Sequence, residues 1–549
     1  MAPNRVREEL NTAQFGWFHI KAILVAGIGL FSDAYDLICI SIAKQALGIV
    51  YCVALVGTAL GQVVFGILGD YMGRKKVYLL TLVIMITAII GQCFAASMVK
   101  GIGRLPLVCQ IASEYSSSKW RGAFVASVFA MQGLGILVAA IVSMMTVWCL
   151  KNTIINNDIN FLDYVWRIII GFGAVPTVLT IYLRSQLPET PRFSQDVEKD
   201  EAKALKNTIA VKANEGGFIE DYAAAAKMDQ ISAKSLHSYL TFPSILRNRN
   251  FWVLLGTAST WFLLDIAFYS QNLFLPNILE GIAYNPSIHL PAAKCGKDGT
   301  HCPVYDYPIP PFGPEFKCTG QCAEQVYDKM WKTAAGNAIT ACMGAVPGYW
   351  FTVAFVDSMG RVNIQYMGFT IMTVILVVLA AAINQIISVN IWLFIVLYAL
   401  TFFFANFGPN ATTFITPVEL FNTKYPLNLA WHLCGHWFVL VSTATITPKQ
   451  GKLGAIVGAF GFGQLFLTAG ISTTLAILAA VNFLGLCCTI FVPETKKMHL
   501  EDAALYSESH FQKMLKTCGV QQVNPAIEEY EAEHAAALPV PSKVEIVEV

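Results

Sequence analysis

The chain has 549 residues, of which 55% are hydrophobic and 13% charged, with 37 Lys+Arg against 36 Asp+Glu. A soluble domain carries roughly 25% charged residues, so this chain lacks the polar surface to dissolve in water, and its mean hydropathy of +0.54 points to lipid as its main solvent. The same balance excludes a disordered chain, a secreted disulfide scaffold and a nucleic-acid-binding protein, and a net charge of +1 gives no global field for a polyanion.

A bilayer-crossing helix needs ~20 predominantly apolar residues. In chain order such runs fall at 18–43, 48–69, 77–96, 97–115, 122–149 and 165–185. After a charged stretch from Gln195 to Asn250 they resume at 251–275, 333–356, 362–384, 390–418, 430–466 and 470–492. The pattern predicts an all-α membrane protein of about 12 transmembrane helices in two six-helix halves. The runs are continuous rather than alternating, which excludes a transmembrane β-barrel. The expected layout is an N-terminus at 1–17, a first half at 18–185, a central loop at 186–250, a second half at 251–492 with an outer loop at 276–332, and a tail at 493–549.

Arg5, Arg7, Arg74, Lys75, Lys76, Lys119, Arg121, Arg192, Arg361, Lys496 and Lys497 all fall on one side of this layout. By the positive-inside rule that side is cytoplasmic, with both termini and the central loop. The polar start predicts a retained first span rather than a removable signal peptide. Cys295, Cys302, Cys318 and Cys322 cluster in the outer loop, where two disulfides of undetermined connectivity are expected. A metal site is the alternative there, although the spacings lack paired short zinc loops.

The loop after span two reads Gly69-Asp70-Tyr-Met-Gly73-Arg74, and its counterpart after span eight is Asp357-Ser-Met-Gly360-Arg361. Glu114 precedes Arg121-Gly122, Pro188-Glu189-Thr190-Pro191-Arg192 follows span six, and Pro493-Glu494-Thr495 follows span twelve. These paired signatures resemble those of the major facilitator superfamily, whose halves are related repeats. The resemblance implies that Asp70, Arg74, Glu114, Arg121, Glu189, Arg192, Asp357 and Arg361 latch the inward gate.

Narrower strings lie inside the spans. They are Phe31-Ser-Asp33-Ala-Tyr-Asp36, Phe129-Ala-Met-Gln132-Gly133, Trp261-Phe-Leu-Leu-Asp265-Ile-Ala-Phe-Tyr269, Asn406-Phe-Gly-Pro-Asn410 and Gly451-Lys452-Leu-Gly454. Together they resemble the inorganic phosphate:proton symporters of plants, fungi and algae. Read physically, a carboxylate in a spanning helix faces the bundle interior, and Trp261, Asp265 and Tyr269 at i, i+4, i+8 share one face. Lys452 can neutralise an anion or snorkel to an interface. Gln132 and Asn410 offer amide donors to phosphate oxygens or to neighbouring helices. Gly57/Gly61 and Gly454/Gly458 are small-residue pairs for close packing.

The resemblance implies phosphate binding by Gln132, Trp261, Asp265, Tyr269, Asn410 and Lys452, and proton carriage by Asp33, Asp36 and Asp265. It implies uptake at the plasma membrane by alternating access. Phosphate, protons and the bilayer are the expected partners, with no cofactor, no metal and no enzymatic activity.

Three departures stand out. The loop between spans one and two is short. Span four, at 97–115, is truncated: it would reach only about 28 Å, and Arg104 and Leu105 stand where the family has an acid and a tyrosine. Asn422 to Gln450 is a foreign, apolar insertion in which His432 and His436 lack an acidic co-ligand. These departures leave two alternative readings, a phosphate sensor or transport-impaired relic, and a porter for another small solute. The sequence shows no nucleotide-binding loop that would support ATP-driven pumping.

Overall fold

The computed structural model describes residues 16–43, 74–94, 121–156, 162–185, 250–283, 321–420 and 443–496, with scattered positions between 56 and 72 and single ones at 194 and 207. Among them all regular structure is helical. The first half contributes α1 (Trp17–Ala43), α2 (Arg74–Phe94), α3 (Arg121–Cys149), the short α4 (Lys151–Asn156), α5 (Leu162–Phe172) and α6 (Ala174–Ser185). The second contributes α7 (Asn250–Ala283), α8 (Gln321–Thr340), α9 (Val346–Met359), α10 (Arg361–Val389), α11 (Ile391–Asn406), α12 (Pro409–Leu420) and α13 (Thr443–Cys488). Seven segments among the described residues are long and apolar enough to cross a membrane. The expected fourth span at 97–115 and residues 430–442 lie outside the described residues.

The helices depart from uniform rods where the sequence supplies a reason. The sixth expected span is α5 and α6 joined at Gly173. The eighth is α8 and α9 joined by a π-helical turn, Ala341–Ala345, and there Gly344 lets the α11 backbone at Ala399 come close. The tenth is α11 and α12, separated at Phe407-Gly408. Proline opens α12, and the residue before a proline is disfavoured in helical geometry. Gly360 and Gly470, at φ 97° and 78°, turn the chain where a side chain would be strained. α7 and α8 run past their apolar stretches, to Ala283 and from Gln321, into sequence expected as the outer loop. At 34 residues α7 spans about 51 Å, more than the ~30 Å of a hydrocarbon core, so its polar end continues as helix beyond it.

Of the three apolar cores among the described residues, one lies within the second half. The other two cross between the halves, one around Phe124, Phe129, Tyr349 and Phe414, the other around Ile136, Val147, Tyr327 and Ala334. The seam between α3 and α8–α9 is packed along its length. At one end Gly122 abuts Asp357 and Arg361, in the middle Gly133 abuts the Tyr349 ring, and at the far end Lys151 Nζ lies 5.2 Å from the Tyr327 ring centroid.

Helices in lipid associate through close packing of small residues, and α13 does this against α7. A side chain at Gly454 would strike the Phe262 carbonyl, and one at Gly458 the Ile266 carbonyl, whereas Gly461 has nothing within 4 Å. Gly454→Leu and Gly458→Leu are therefore expected to lower the melting temperature of the detergent-purified protein, at an overpacking cost of about 1–3 kcal/mol. Gly461→Leu is expected to leave it unchanged.

Candidate functional site

α7 and α13 bring their polar residues together. On α7, Trp261, Asp265 and Tyr269 occupy one face, all buried. Lys452 of α13 is 4% exposed, so it does not snorkel to an interface. Its ammonium donates to the Tyr269 hydroxyl and stands 3.8 Å from Asp265 Oδ2. Trp261 hydrogen-bonds the Asp265 carboxyl from the preceding turn. The Lys452–Asp265 separation is an ion pair beyond hydrogen-bond length, and Asp265 Oδ2 has no hydrogen-bond donor among the described residues. Gly451 makes the approach possible, because a side chain there would collide with the Trp261 indole.

The break between α11 and α12 supplies the amides. Asn410 Nδ2 donates to the Tyr349 hydroxyl at 2.8 Å and to Asn406 Oδ1 at 2.6 Å. A broken helix frees backbone carbonyls, which must find donors inside the bilayer. Thr352 of α9 meets this need, donating to the Asn406 carbonyl at 2.7 Å. An aromatic chain links this region to the first half: Phe129 of α3 stacks on Phe414 at 4.2 Å, and Phe414 meets Trp261 edge-on at 6.2 Å. Gln132 is half-buried one turn beyond Phe129, beside the Gly133 notch that receives the Tyr349 ring.

The two acids of α1 have different surroundings. Asp33 interacts electrostatically with both Tyr269 and Lys452 across the seam. Asp36 packs within the first half, beside Tyr35, Cys39 and the break at Gly173.

A second charged cluster sits at the end of the seam that carries Arg121 and Arg361, both buried. The Arg361 guanidinium grips Glu419 with two bonds, at 3.0 and 2.7 Å, lies 2.9 Å from Asp357 Oδ1 and donates to the Val356 carbonyl. Thr495 donates to the same Glu419 carboxylate. Glu494 accepts from the backbone N–H of Arg361 and Val362, both at 3.0 Å, so it caps α10 where unsatisfied N–H groups favour an anion. Asp357 crosses to the other half, accepting from the Ala123 N–H at 2.9 Å in the first turn of α3.

Residues 32–288 match the family described as "Sugar (and other) transporter". The fold is similar to that of the proton:xylose symporter XylE, with a TM-score of 0.54 at 16% identity, covering 88% of this chain and 98% of that one. The chain is 38% identical to the probable inorganic phosphate transporter 1-6 of Arabidopsis thaliana over 546 residues, covering 90% of this chain and 95% of that one. It is 36% identical to the low affinity inorganic phosphate transporter 1 of Petunia hybrida over 572 residues, covering 92% and 96%. The chain belongs to the inorganic phosphate transporter family of the major facilitator superfamily. It is a multi-pass membrane protein.

In this family member the structure gathers Trp261, Asp265, Tyr269 and Lys452 into one cluster, with Asn410 and Gln132 on the adjoining faces. Asp70, Glu114, Glu189 and Arg192 lie outside the described residues, as do the side chain of Arg74 and the residues Arg104, Leu105, His432 and His436. Cys295, Cys302 and Cys318 and the side chain of Cys322 also lie outside them. Sequence reasoning did not single out Tyr349, Phe414 or Asn406 at the site, nor Glu419 as the partner of Arg361. Glu419 carried a signal as an acid closing an apolar span, and Asn406 as the head of the Asn406-Phe-Gly-Pro-Asn410 string.

Removing one member of a buried ion pair strands the other, at about 3–5 kcal/mol. Arg361→Met is expected to lower the folded fraction recovered from membranes, as read by size-exclusion chromatography. Arg361→Lys is expected not to restore it, because an ammonium cannot span Glu419 and Asp357 as the fork does.

Proposed function

We propose that the chain takes up inorganic phosphate together with protons across the plasma membrane, by alternating access of its two halves, with both termini and the central loop cytoplasmic. The observation that carries this reading is Lys452, a buried cation at the seam with Asp265 3.8 Å away and Tyr269 as its hydrogen-bond acceptor. An anion entering this cluster competes with the Asp265 carboxylate for Lys452. A proton on Asp265 removes the competitor and supplies an O–H donor, so each proton bound favours phosphate, and each phosphate favours the proton. The Trp261 N–H, the Tyr269 O–H and the amides of Gln132 and Asn410 complete the donor set that H₂PO₄⁻ needs.

Rocking of the halves then exposes the cluster to the cytoplasm. Loss of the proton restores the Asp265–Lys452 pair and displaces the anion. Asp33, electrostatically coupled to Lys452 and Tyr269, is the second proton carrier, and Asp36 is a relay behind it. When more than one proton accompanies each phosphate, the inward-negative potential contributes ~2.3 kcal/mol per net charge per 100 mV. Asp357, held to the α3 N-terminus, and Arg361, Glu419 and Glu494 behind it form the described part of the inward gate. Arg121, buried at the same end, belongs with them, and Arg74, Asp70, Glu114, Glu189 and Arg192 supply the rest.

The test is phosphate uptake in a transport-deficient yeast at acidic and alkaline external pH. Faster uptake at acidic pH is expected. Lys452→Met is expected to cut uptake about 10- to 100-fold, the worth of a charge-assisted contact. Asp265→Asn, which cannot release a proton, is expected to weaken the pH response, leaving only what Asp33 carries. Uptake indifferent to pH and to Asp265→Asn would overturn the coupling mechanism. The second reading, a sensor or transport-impaired relic, is favoured by Arg104 and Leu105 in span four. It predicts surface-expressed protein that binds phosphate without moving it.

A further inference from the structure

Asn410 has both of its amide hydrogens committed within the protein, one to the Tyr349 hydroxyl and one to Asn406 Oδ1. Its neighbour Asn406 is fully buried, and its Nδ2 has no hydrogen-bond acceptor among the described residues. A buried N–H left unpaired costs about 1–3 kcal/mol, so this arrangement of the two carboxamides is only one of two available. With both turned end for end, Asn406 Nδ2 donates to Asn410 Oδ1, the Tyr349 O–H donates to the same oxygen, and the Asn410 N–H groups are released. The hydroxyl of Tyr349 serves either state, because it can accept or donate.

The placement of that hydroxyl is decided by the other half. The Tyr349 ring is buried in the notch left by Gly133 of α3, and it meets Phe129 edge-on at 5.6 Å. Thr352, one turn along α9, holds the Asn406 carbonyl. The Asn406–Asn410 pair is thus tied to α9 at two points, and α9 is seated against α3.

We propose that Tyr349 and Asn406 are positioning residues of the anion site. Acting through Asn410, they set whether its N–H groups are turned inward to the protein or released to a phosphate oxygen, and the seating of Tyr349 against Gly133 makes that choice follow the approach of the two halves. This inference rests on the reading that Asn410 and its neighbours bind phosphate.

The experiment is concentration-dependent uptake of labelled phosphate by the full chain in the same yeast, with surface abundance measured for each variant. Tyr349→Phe keeps the ring in the notch and removes the hydroxyl. Asn406→Ala leaves the ring untouched and removes the second carboxamide. Each is expected to raise the half-saturating phosphate concentration about two- to tenfold, the worth of one neutral hydrogen bond, with the maximal rate per surface molecule within about twofold of the unmodified chain. If one variant is lost from the surface, the other gives the answer. An unchanged half-saturating concentration, a fall in maximal rate alone, or loss of both variants from the surface would overturn the positioning role while leaving the transport reading standing. Absence of uptake by the unmodified chain at the surface would instead overturn the transport reading, and this inference with it.

Discussion

A charge held in hydrocarbon must be neutralised by the chain that carries it, and this constraint organises the second half of the protein. Two buried cations meet it in opposite ways. Arg361 saturates its planar fork with Glu419, Asp357 and a backbone carbonyl, all within 3.2 Å, and its partners are themselves capped or bonded. Lys452 holds one hydroxyl and one carboxylate, and the carboxylate stands too far for a hydrogen bond. The first arrangement leaves nothing to exchange and acts as a joint. The second leaves the ammonium with capacity for another anion. Geometry separates the two roles although both residues are deeply buried cations beside acids.

The polar groups of the centre depend on interruptions in the helices. An unbroken span ten would have its carbonyls consumed by its own ladder, with nothing for Thr352 to hold. The Gly408-Pro409 step ends that ladder, and Asn406 and Asn410 sit on either side of it. The π turn before α9 and the bend at Gly173 behind Asp36 place two more irregularities next to candidate functional residues. Irregular backbone at membrane depth is tolerated only where protein or a polar cavity covers it; Phe407, Gly408 and Gly173 are buried, and the π turn buries Ala341, Gly344 and Ala345.

Much of this was legible in the sequence because the bilayer imposes so strong a rule. Apolar runs located most helices, the repeated Gly-Arg turns suggested related halves, and the i, i+4, i+8 spacing set Trp261, Asp265 and Tyr269 on one face. What stayed hidden depends on backbone groups and on helix rotation, neither of which has a residue code. Asp357 was expected in a charge network, yet its contact across the seam is a main-chain N–H at Ala123. Asp33 and Asp36 look equivalent three residues apart, and only the packing of α1 against α5 and α6 separates them. Asn410 could be read as a donor, but the commitment of its amide to Tyr349 required knowing which helix lies opposite.

The cap that Glu494 places on α10 has a consequence for how the molecule is made. A ribosome delivers Arg361 and Glu419 long before residues 494 and 495, so the α10 N-terminus and the remaining Glu419 bond wait for almost the entire membrane domain to be synthesised. The joint at this end of the seam is therefore completed last. A chain cut short before its final helix would be left with an open helix end at the place where the two halves meet.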